Sequence, residues 1–328
     1  VRIVNIIGTR PQYIKLAAMH LELNDTEHEI LNIDTGQHYD TNMSDNFITG
    51  FKLTIHYKTM NILEIKEILD DFNPDVVLLY GDTYSTLIGL IASKGYLTAH
   101  IEAGARTFNI EFREELIRMA VDHACDICFT PSVRSSKNLL NEGKEPYKIY
   151  FVGDVMYDLL LSIDNTQQEN HDEYVYMTLH RPGNVDNIDR LKKIFEELSK
   201  IDKKIIFPVH PRTLKNIEKF NIKKPENVVI IEPCSYIQSI KYIKNAKFVI
   251  TDSGGVEKEC YLLKTPGITL NKVISWHEAE IYGWNKQVDI CDLYEYTKTI
   301  SKGLDWHECY GDGTAAKQIV KILERIVK

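Results

Sequence analysis

Apolar runs of roughly four to eight residues alternate along the whole chain with longer stretches whose apolar positions recur at helical spacing, the pattern of repeated βα units feeding a parallel sheet. Runs at 2–7, 29–34, 75–80, 98–102, 127–130 and 149–152 predict strands in the first half, and runs at 173–178, 204–208, 227–231, 247–251 and 267–270 predict strands in the second. Helical spacing fills gaps such as Ile62–Phe72, Tyr84–Lys94, Glu114–Ala124 and Asp189–Lys200. The stretch 161–172, with Asn165, Gln167, Gln168, Asn170 and His171, is polar and aperiodic and reads as a linker. At 328 residues the chain exceeds what one core usually serves. The expected architecture is α/β, with two Rossmann-like domains of parallel strands and a ligand cleft between them. The first domain covers 1–160 and the second 173–313; a last helix over 314–328 follows the Tyr310-Gly311-Asp312-Gly313 turn and crosses back to the first.

Two strand-to-helix turns stand out within this frame. Phe248-Val249-Ile250 runs into Thr251-Asp252-Ser253-Gly254-Gly255, and Arg2-Ile3-Val4-Asn5-Ile6-Ile7 runs into Gly8-Thr9-Arg10-Pro11. Glycines let the backbone approach an anion, unpaired amides and the helix dipole supply positive potential, Pro11 suits a first helical turn, and Arg10 can fork onto a phosphate. One such turn per half points to a diphosphate ligand. Other strand ends carry polar groups too: Gly81-Asp82-Thr83, Glu102-Ala103-Gly104, His180-Arg181 and His210-Pro211-Arg212, with Glu114 and Glu115 opening a helix. In open α/β sheets ligands bind outside the carboxyl ends of the strands, so these groups read as acid/base machinery for a nucleotide-linked substrate.

Each residue also has a plainer reading. Asp82 can cap the next helix, Glu114 and Glu115 suit a helix dipole, and His180 and His210 can be structural. Glu257, Lys258 and Glu259 can be surface charge in a first helical turn. Glu102 is harder to dismiss: inside Ile101-Glu102-Ala103-Gly104 an uncompensated charge costs several kcal/mol, so it needs a partner or a function.

Composition narrows the partners. Apolar content of 44% and charged content of 26% are ordinary for a globular protein, and a net charge of −8 argues against nucleic acid. No apolar stretch approaches the roughly 20 residues of a membrane span, and Val1-Arg2-Ile3 is already strand-like, so a cytoplasmic protein is expected. Of six cysteines only Cys125 and Cys128 are close, without a second pair at zinc spacing; they read as thiols flanking a buried strand.

Together the segments Gly8-Thr-Arg-Pro-Gln-Tyr-Ile-Lys15, Thr35-Gly-Gln-His38, Gly81-Asp-Thr83, Glu102-Ala-Gly104, Thr178-Leu-His-Arg181, Val209-His-Pro-Arg212, Asp252-Ser-Gly-Gly255 and Tyr310-Gly-Asp-Gly313 resemble the non-hydrolysing UDP-N-acetylglucosamine 2-epimerase family. Gln12, Asn42-Met-Ser-Asp45, Val152-Gly-Asp-Val-Met-Tyr-Asp158 and Gly283-Trp-Asn285 look like the branch acting on UDP-2,3-diacetamido-2,3-dideoxyglucuronate. The resemblance implies a fold similar to GT-B glycosyltransferases and inversion at C2 of the sugar, by elimination of UDP to a 2-acetamidoglucal and re-addition. It implies Asp82, Glu102 and Glu114 as acid/base carboxylates and His180 by the leaving diphosphate or sugar. Arg10 and Ser253, Gly254 and Gly255 would hold phosphates, Glu259 the ribose, His210 would lie in the nucleotide pocket, and Lys15 would add positive charge. A homodimer is typical, no metal or nicotinamide is needed, and surface-polysaccharide precursors are the implied product. UDP-N-acetylglucosamine is the leading substrate, with the diacetamido-uronate, a glycosyltransferase and a weakly active UDP-sugar binder as alternatives.

Several positions depart from that pattern. The family's Pro-Glu-Glu-x-Asn-Arg is Arg113-Glu114-Glu115-Leu116-Ile117-Arg118, its His-Arg-x-Glu-Asn is His180-Arg181-Pro182-Gly183-Asn184, and Glu257 replaces a Gln. An Arg-rich loop ending in Thr-Glu is replaced by Asn271-Lys272-Val273-Ile274-Ser275, Glu308-Cys309 replaces Asn-Pro, and the region from Phe51 to Ile62 is short, putting regulation by a second UDP-sugar in doubt.

Overall fold

The computed structural model of the chain describes all residues except Asp25, Lys328 and the stretches 38–50, 164–173, 272–275 and 301–304. The Asn42–Asp45 motif, most of the expected linker and most of the replaced loop at 271–275 therefore lie outside the described residues. Two compact units result: one is Val1–Asn165 with Glu308–Lys328, the other Thr166–His307.

The first unit holds seven strands: β1 (Arg2–Ile7), β2 (Glu29–Asp34), β3 (Tyr57–Lys58), β4 (Val76–Tyr80), β5 (Thr98–Ile101), β6 (Ile127–Thr130) and β7 (Ile149–Phe151). They form one sheet in the order β3-β2-β1-β4-β5-β6-β7, every pair parallel. In the central strand β4 all five residues, Val-Val-Leu-Leu-Tyr, are buried, as a strand covered by helices on both faces must be. The helix Ile62–Phe72 lays Ile65 and Leu69, one turn apart, onto Val4, Ile6, Val77 and Leu79, and the helix Arg113–Ala124 adds Ile117 and Val121 to that core. Full burial of each such side chain contributes about 1.5–3 kcal/mol.

The second unit holds β8 (Tyr174–Thr178), β9 (Lys204–Pro208), β10 (Val228–Ile231), β11 (Phe248–Thr251), β12 (Gly267–Thr269) and β13 (Asn285–Gln287). Their order is β10-β9-β8-β11-β12-β13, again all parallel. Each sheet therefore reverses its winding once, between β1 and β4 in one and between β8 and β11 in the other. Connections leave to opposite faces there, which opens a crevice at the strands' carboxyl ends. All eleven expected strands are present. The two unexpected ones, β3 and β13, have only two and three residues and mostly exposed, polar side chains, so they carry no apolar run.

The helix Ala315–Ile326 belongs to the first unit, where Ala316, Ile319 and Leu323 pack against the helices Arg10–Leu23 and Val155–Ile163. Two features fix its entry. Gly153 (φ +90°) and Gly311 (φ +83°) let two backbones touch, and a Cβ on Gly153 would stand 2.8 Å from the Tyr310 carbonyl oxygen. Asp158 Oδ2 accepts from the Ala316 amide at 2.7 Å, capping the helix from outside. Burial raises the Asp158 carboxyl to about 6, outweighing the two helix amides that favour its charge.

Two outcomes are expected. Gly153→Ala should destabilise the protein by roughly 1–3 kcal/mol in chemical denaturation, since it adds both a forbidden φ and a backbone clash. Because the folded-state value of Asp158 lies above its ordinary 3.8, its contribution is fully present below that value and is lost as pH rises through about 6. Melting curves across this window should therefore show a loss on the order of 2 kcal/mol that Asp158→Asn abolishes.

Candidate active site

The strand order sets the ends of β1, β4 and β5 side by side, so Gly8–Arg10, Gly81–Thr83 and Glu102–Gly104 converge on one edge of the first unit. Gly8 closes on a hydroxyl pair, Thr35 Oγ1 and Ser85 Oγ, which are 2.6 Å apart; a Cβ there would fall 2.0 Å from Thr35 Oγ1. The expected anion cradle in this turn is not open. Gln12 Oε1 already accepts from the Gly8 amide at 2.8 Å and the Thr9 amide at 3.0 Å, while its Nε2 donates to the Tyr80 carbonyl at 2.7 Å and to Thr86 Oγ1 at 3.0 Å. A helix side chain has satisfied two of the donors that would have met a phosphate, the Gly8 and Thr9 amides. Gln12 also ties the turn after β1 to the turn after β4, a role the sequence reading missed.

Four charges cluster beyond it. Glu102, 7% exposed, adopts a left-handed backbone (φ +71°), and its Oε1 lies 2.7 Å from Lys15 Nζ. Arg118 donates to the Glu102 carbonyl at 2.6 Å, approaches Glu102 Oε1 at 3.4 Å, and forms a very short ion pair with Asp82. Burial disfavours the Arg118 charge, but Asp82, Glu102 and Asp122 outweigh it and push the guanidinium value further up. Asp82 is the exposed member, its side chain 28% accessible. Lys15, itself buried, is directed at Glu102 rather than outward as loose positive charge.

The two helix-start carboxylates part company. Glu115 is buried and accepts from the Thr107 amide and hydroxyl and from the Phe108 amide, so it orders the loop after Gly104. Glu114 is exposed and makes no hydrogen bond among the described residues; it stands one turn before Arg118 on the same helix. Cys125 and Cys128 are buried, and burial pushes both thiols up, Cys128 to about 12, which leaves them inert. Among the described residues no His, Cys, Asp or Glu cluster is fit to hold a metal ion.

In the second unit β8 and β11 pair directly, Thr178 opposite Thr251, and their hydroxyls meet at 2.7 Å. The fully buried Asp252 organises the turns beyond these two strands. It accepts from the amides of His180 (3.0 Å) and Arg181 (2.9 Å) and from Asn184 Nδ2 (3.0 Å), and lies 3.2 Å from His180 Nδ1. Arg181 Nε and Asn271 Nδ2 both donate to the Asp252 carbonyl. The His180 ring is exposed and 6.5 Å, centroid to centroid, from the ring of His210. His210 caps the helix Pro211–Lys219, its Nδ1 accepting from the Arg212 amide at 3.2 Å. The helix Gly254–Leu262 starts from Ser253, and among the described residues no acceptor meets the amides of Gly254 and Gly255, so this turn keeps the open character of an anion site.

The surface-charge reading of Glu257, Lys258 and Glu259 is wrong. All three are buried, because their helix is enclosed by the helix Tyr236–Asn245, by β12 and β13, and by the helix His277–Ile281; Lys258 Nζ sits 4.0 Å from the Trp276 ring centroid. A lysine-lined groove with Lys192, Lys200, Lys223 and Lys224 lies at the opposite, amino ends of β9 and β10, away from every one of these groups.

Comparisons with known proteins place the chain by family and fold. The sequence model of the family described as UDP-N-acetylglucosamine 2-epimerase matches residues 21–324. A UDP-N-acetylglucosamine 2-epimerase homolog of Methanococcus maripaludis is 38% identical, covering 99% of this chain and 100% of its own length. Its alignment has 359 positions against 328 residues here, so the relative carries segments this chain lacks. The UDP-2,3-diacetamido-2,3-dideoxy-D-glucuronate 2-epimerase of Pseudomonas aeruginosa is 35% identical over 99% of this chain and 100% of its own. Among solved structures, the Methanocaldococcus jannaschii UDP-GlcNAc 2-epimerase, in complex with UDP-GlcNAc and UDP, superimposes with a TM-score of 0.89 at 34% identity over 99% of this chain and 100% of that one. By sequence and by fold, the chain belongs to the UDP-N-acetylglucosamine 2-epimerase family.

Proposed function

We propose that this protein inverts C2 of a UDP-linked 2-acetamido sugar, interconverting UDP-N-acetylglucosamine and UDP-N-acetylmannosamine. The observation that carries the reading is the buried Lys15–Glu102–Arg118–Asp82 cluster at the carboxyl edge of the first sheet, in a chain of this family. A C2 hydrogen is barely acidic, so its removal has to be coupled to departure of a good leaving group. A carboxylate takes the C2 proton, the C1–oxygen bond breaks with its electrons on UDP, and a 2-acetamidoglucal remains; UDP then re-adds at C1 while a proton arrives on the opposite face of C2. Asp82, Glu102 and Glu114 are the carboxylates for these transfers, with Arg118 and Lys15 fixing the first two.

Each unit carries groups suited to a departing diphosphate. In the second, the Ser253–Gly255 turn offers amides and His180 a ring steadied by Asp252; in the first, Arg10 offers a guanidinium. Glu259 serves the ribose hydroxyls and His210 the nucleotide pocket. A homodimer working in the cytoplasm on surface-polysaccharide precursors completes the reading, supported by the family resemblance. The diacetamido-uronate is the second substrate reading, favoured by the Pseudomonas aeruginosa relative.

Incubation with UDP-N-acetylglucosamine in deuterated water should place deuterium at C2 and yield the manno epimer by proton NMR. Exchange with the diacetamido-uronate alone would select the second substrate, and transfer to an acceptor without C2 exchange would make the protein a glycosyltransferase. Glu102→Gln and Glu114→Gln should each lower kcat by about 10²–10⁴-fold. They should differ in stability: Glu102→Gln strips a partner from two buried cations and lowers the melting temperature, whereas Glu114→Gln, at an exposed position with no hydrogen bond among the described residues, leaves it unchanged.

A further inference from the structure

One buried charge pair in the first unit lies behind the candidate carboxylates and takes no part in the proton transfers at C2. His100 of β5 and Asp122 of the helix Arg113–Ala124 are both 0% exposed. His100 Nδ1 is 2.7 Å from Asp122 Oδ1, and His100 Nε2 is 2.7 Å from the Gly81 carbonyl oxygen. The other carboxylate oxygen, Asp122 Oδ2, accepts from the Gly104 amide at 3.1 Å and from Arg106 at 2.6 Å; Arg106 in turn forks onto Glu142. The pair thus grips one backbone atom just before Asp82 and another just after Glu102-Ala103.

Those two turns need gripping. Gly81 (φ +63°), Glu102 (φ +71°) and Gly104 (φ +78°) all hold left-handed backbone, and for Glu102 that conformation costs about 1–3 kcal/mol. The helix Arg113–Ala124 reaches both turns with one face, Arg118 touching the carboxylates and Asp122, one turn on, holding the backbone behind them.

From this geometry we infer that His100 is a positioning residue for the epimerisation, a doubly protonated ring that, with Asp122, locks the turns carrying Asp82 and Glu102 into register. Carboxylate and carbonyl oxygens only accept, so both ring nitrogens must donate. Burial alone would raise the Asp122 carboxyl, but His100 and Arg106 outweigh it and hold it below the ordinary carboxylate range, keeping it an acceptor. The catalytic part of the inference rests on the proposed function; the ring's protonation does not.

Nitrogen-15 NMR of the full-length chain at neutral pH should show both His100 ring nitrogens bearing hydrogen, assigned by loss of the signals in His100→Gln. A ring with one bare nitrogen overturns the clamp, whether or not the protein turns over a UDP-sugar. Two variants then test positioning. The shorter amide of His100→Asn can replace the Nδ1 contact but not reach Gly81, whereas His100→Gln can reach Gly81. With rates taken per folded molecule, His100→Asn should lower kcat about 100-fold with KM changed by less than about threefold, and His100→Gln should recover about tenfold of that loss. Equal kcat in both variants and the wild type overturns the positioning role. If the wild-type chain shows no C2 exchange on either sugar, the functional reading fails, and the ring NMR still decides the clamp.

Discussion

A carboxylate buried at the end of β5 is the constraint around which the first unit is arranged. Removing one partner from a buried ion pair costs about 3–5 kcal/mol, because the remaining charge stays out of water. Glu102 therefore requires cations, and they come from two different helices: Lys15 from Arg10–Leu23 and Arg118 from Arg113–Ala124. Each helix must then dock at a set height along the sheet. The apolar stripes supply most of the docking energy, but they tolerate sliding; charges at hydrogen-bond distance do not. Arg118 also binds the Glu102 main-chain carbonyl, so the left-handed backbone and the side-chain charge are held by one group.

The second unit meets the same demand differently. Its fully buried Asp252 carboxylate accepts from two amides and an asparagine and lies beside a histidine, while the Arg181 side chain binds the main-chain carbonyl instead of the carboxylate. Such a shell shapes backbone, and among the described residues no acceptor meets the adjoining Gly254 and Gly255 amides, which suits recognition of an anion. The first unit instead concentrates opposed full charges around a partly accessible Asp82, which suits moving protons. The same βα architecture thus carries two electrostatic designs, each at its own topological switch point.

Much of this was legible in the sequence and the rest was hidden for definite reasons. Every apolar run became a strand, since parallel strands covered on both faces admit little else. Glu102 announced itself as a charge in an apolar setting. Arg118, Asp122 and Gln12 did not, because a polar residue inside a helix looks the same whether it points to water or to the sheet. His100 left a trace, an imidazole within the buried run Thr98–Ile101, but its partner sits 22 residues away on another element. The first-turn charges Glu257–Glu259 looked like surface because their helix's neighbours come from β12, β13 and two helices distant in the chain.

The same structural detail sorts the departures from the family pattern. Ile117, standing where the family has Asn, belongs to the apolar core with Val121, and Arg113 reaches the exposed Tyr84 hydroxyl at 3.4 Å, so neither touches the charge cluster. Gly183, where the family has Glu, has no atom within 4 Å of a would-be Cβ; the missing side chain leaves open room beside the His180–Arg181 turn. Glu257 is buried one turn into the helix that starts at Ser253. Among the described residues the departures thus leave Lys15, Asp82, Glu102 and Arg118 joined in the first unit, while the one at Gly183 opens room beside a turn of the second. On the proposed function, substitution that spares a costly buried network but empties space beside the His180–Arg181 turn argues for a changed sugar preference over lost chemistry.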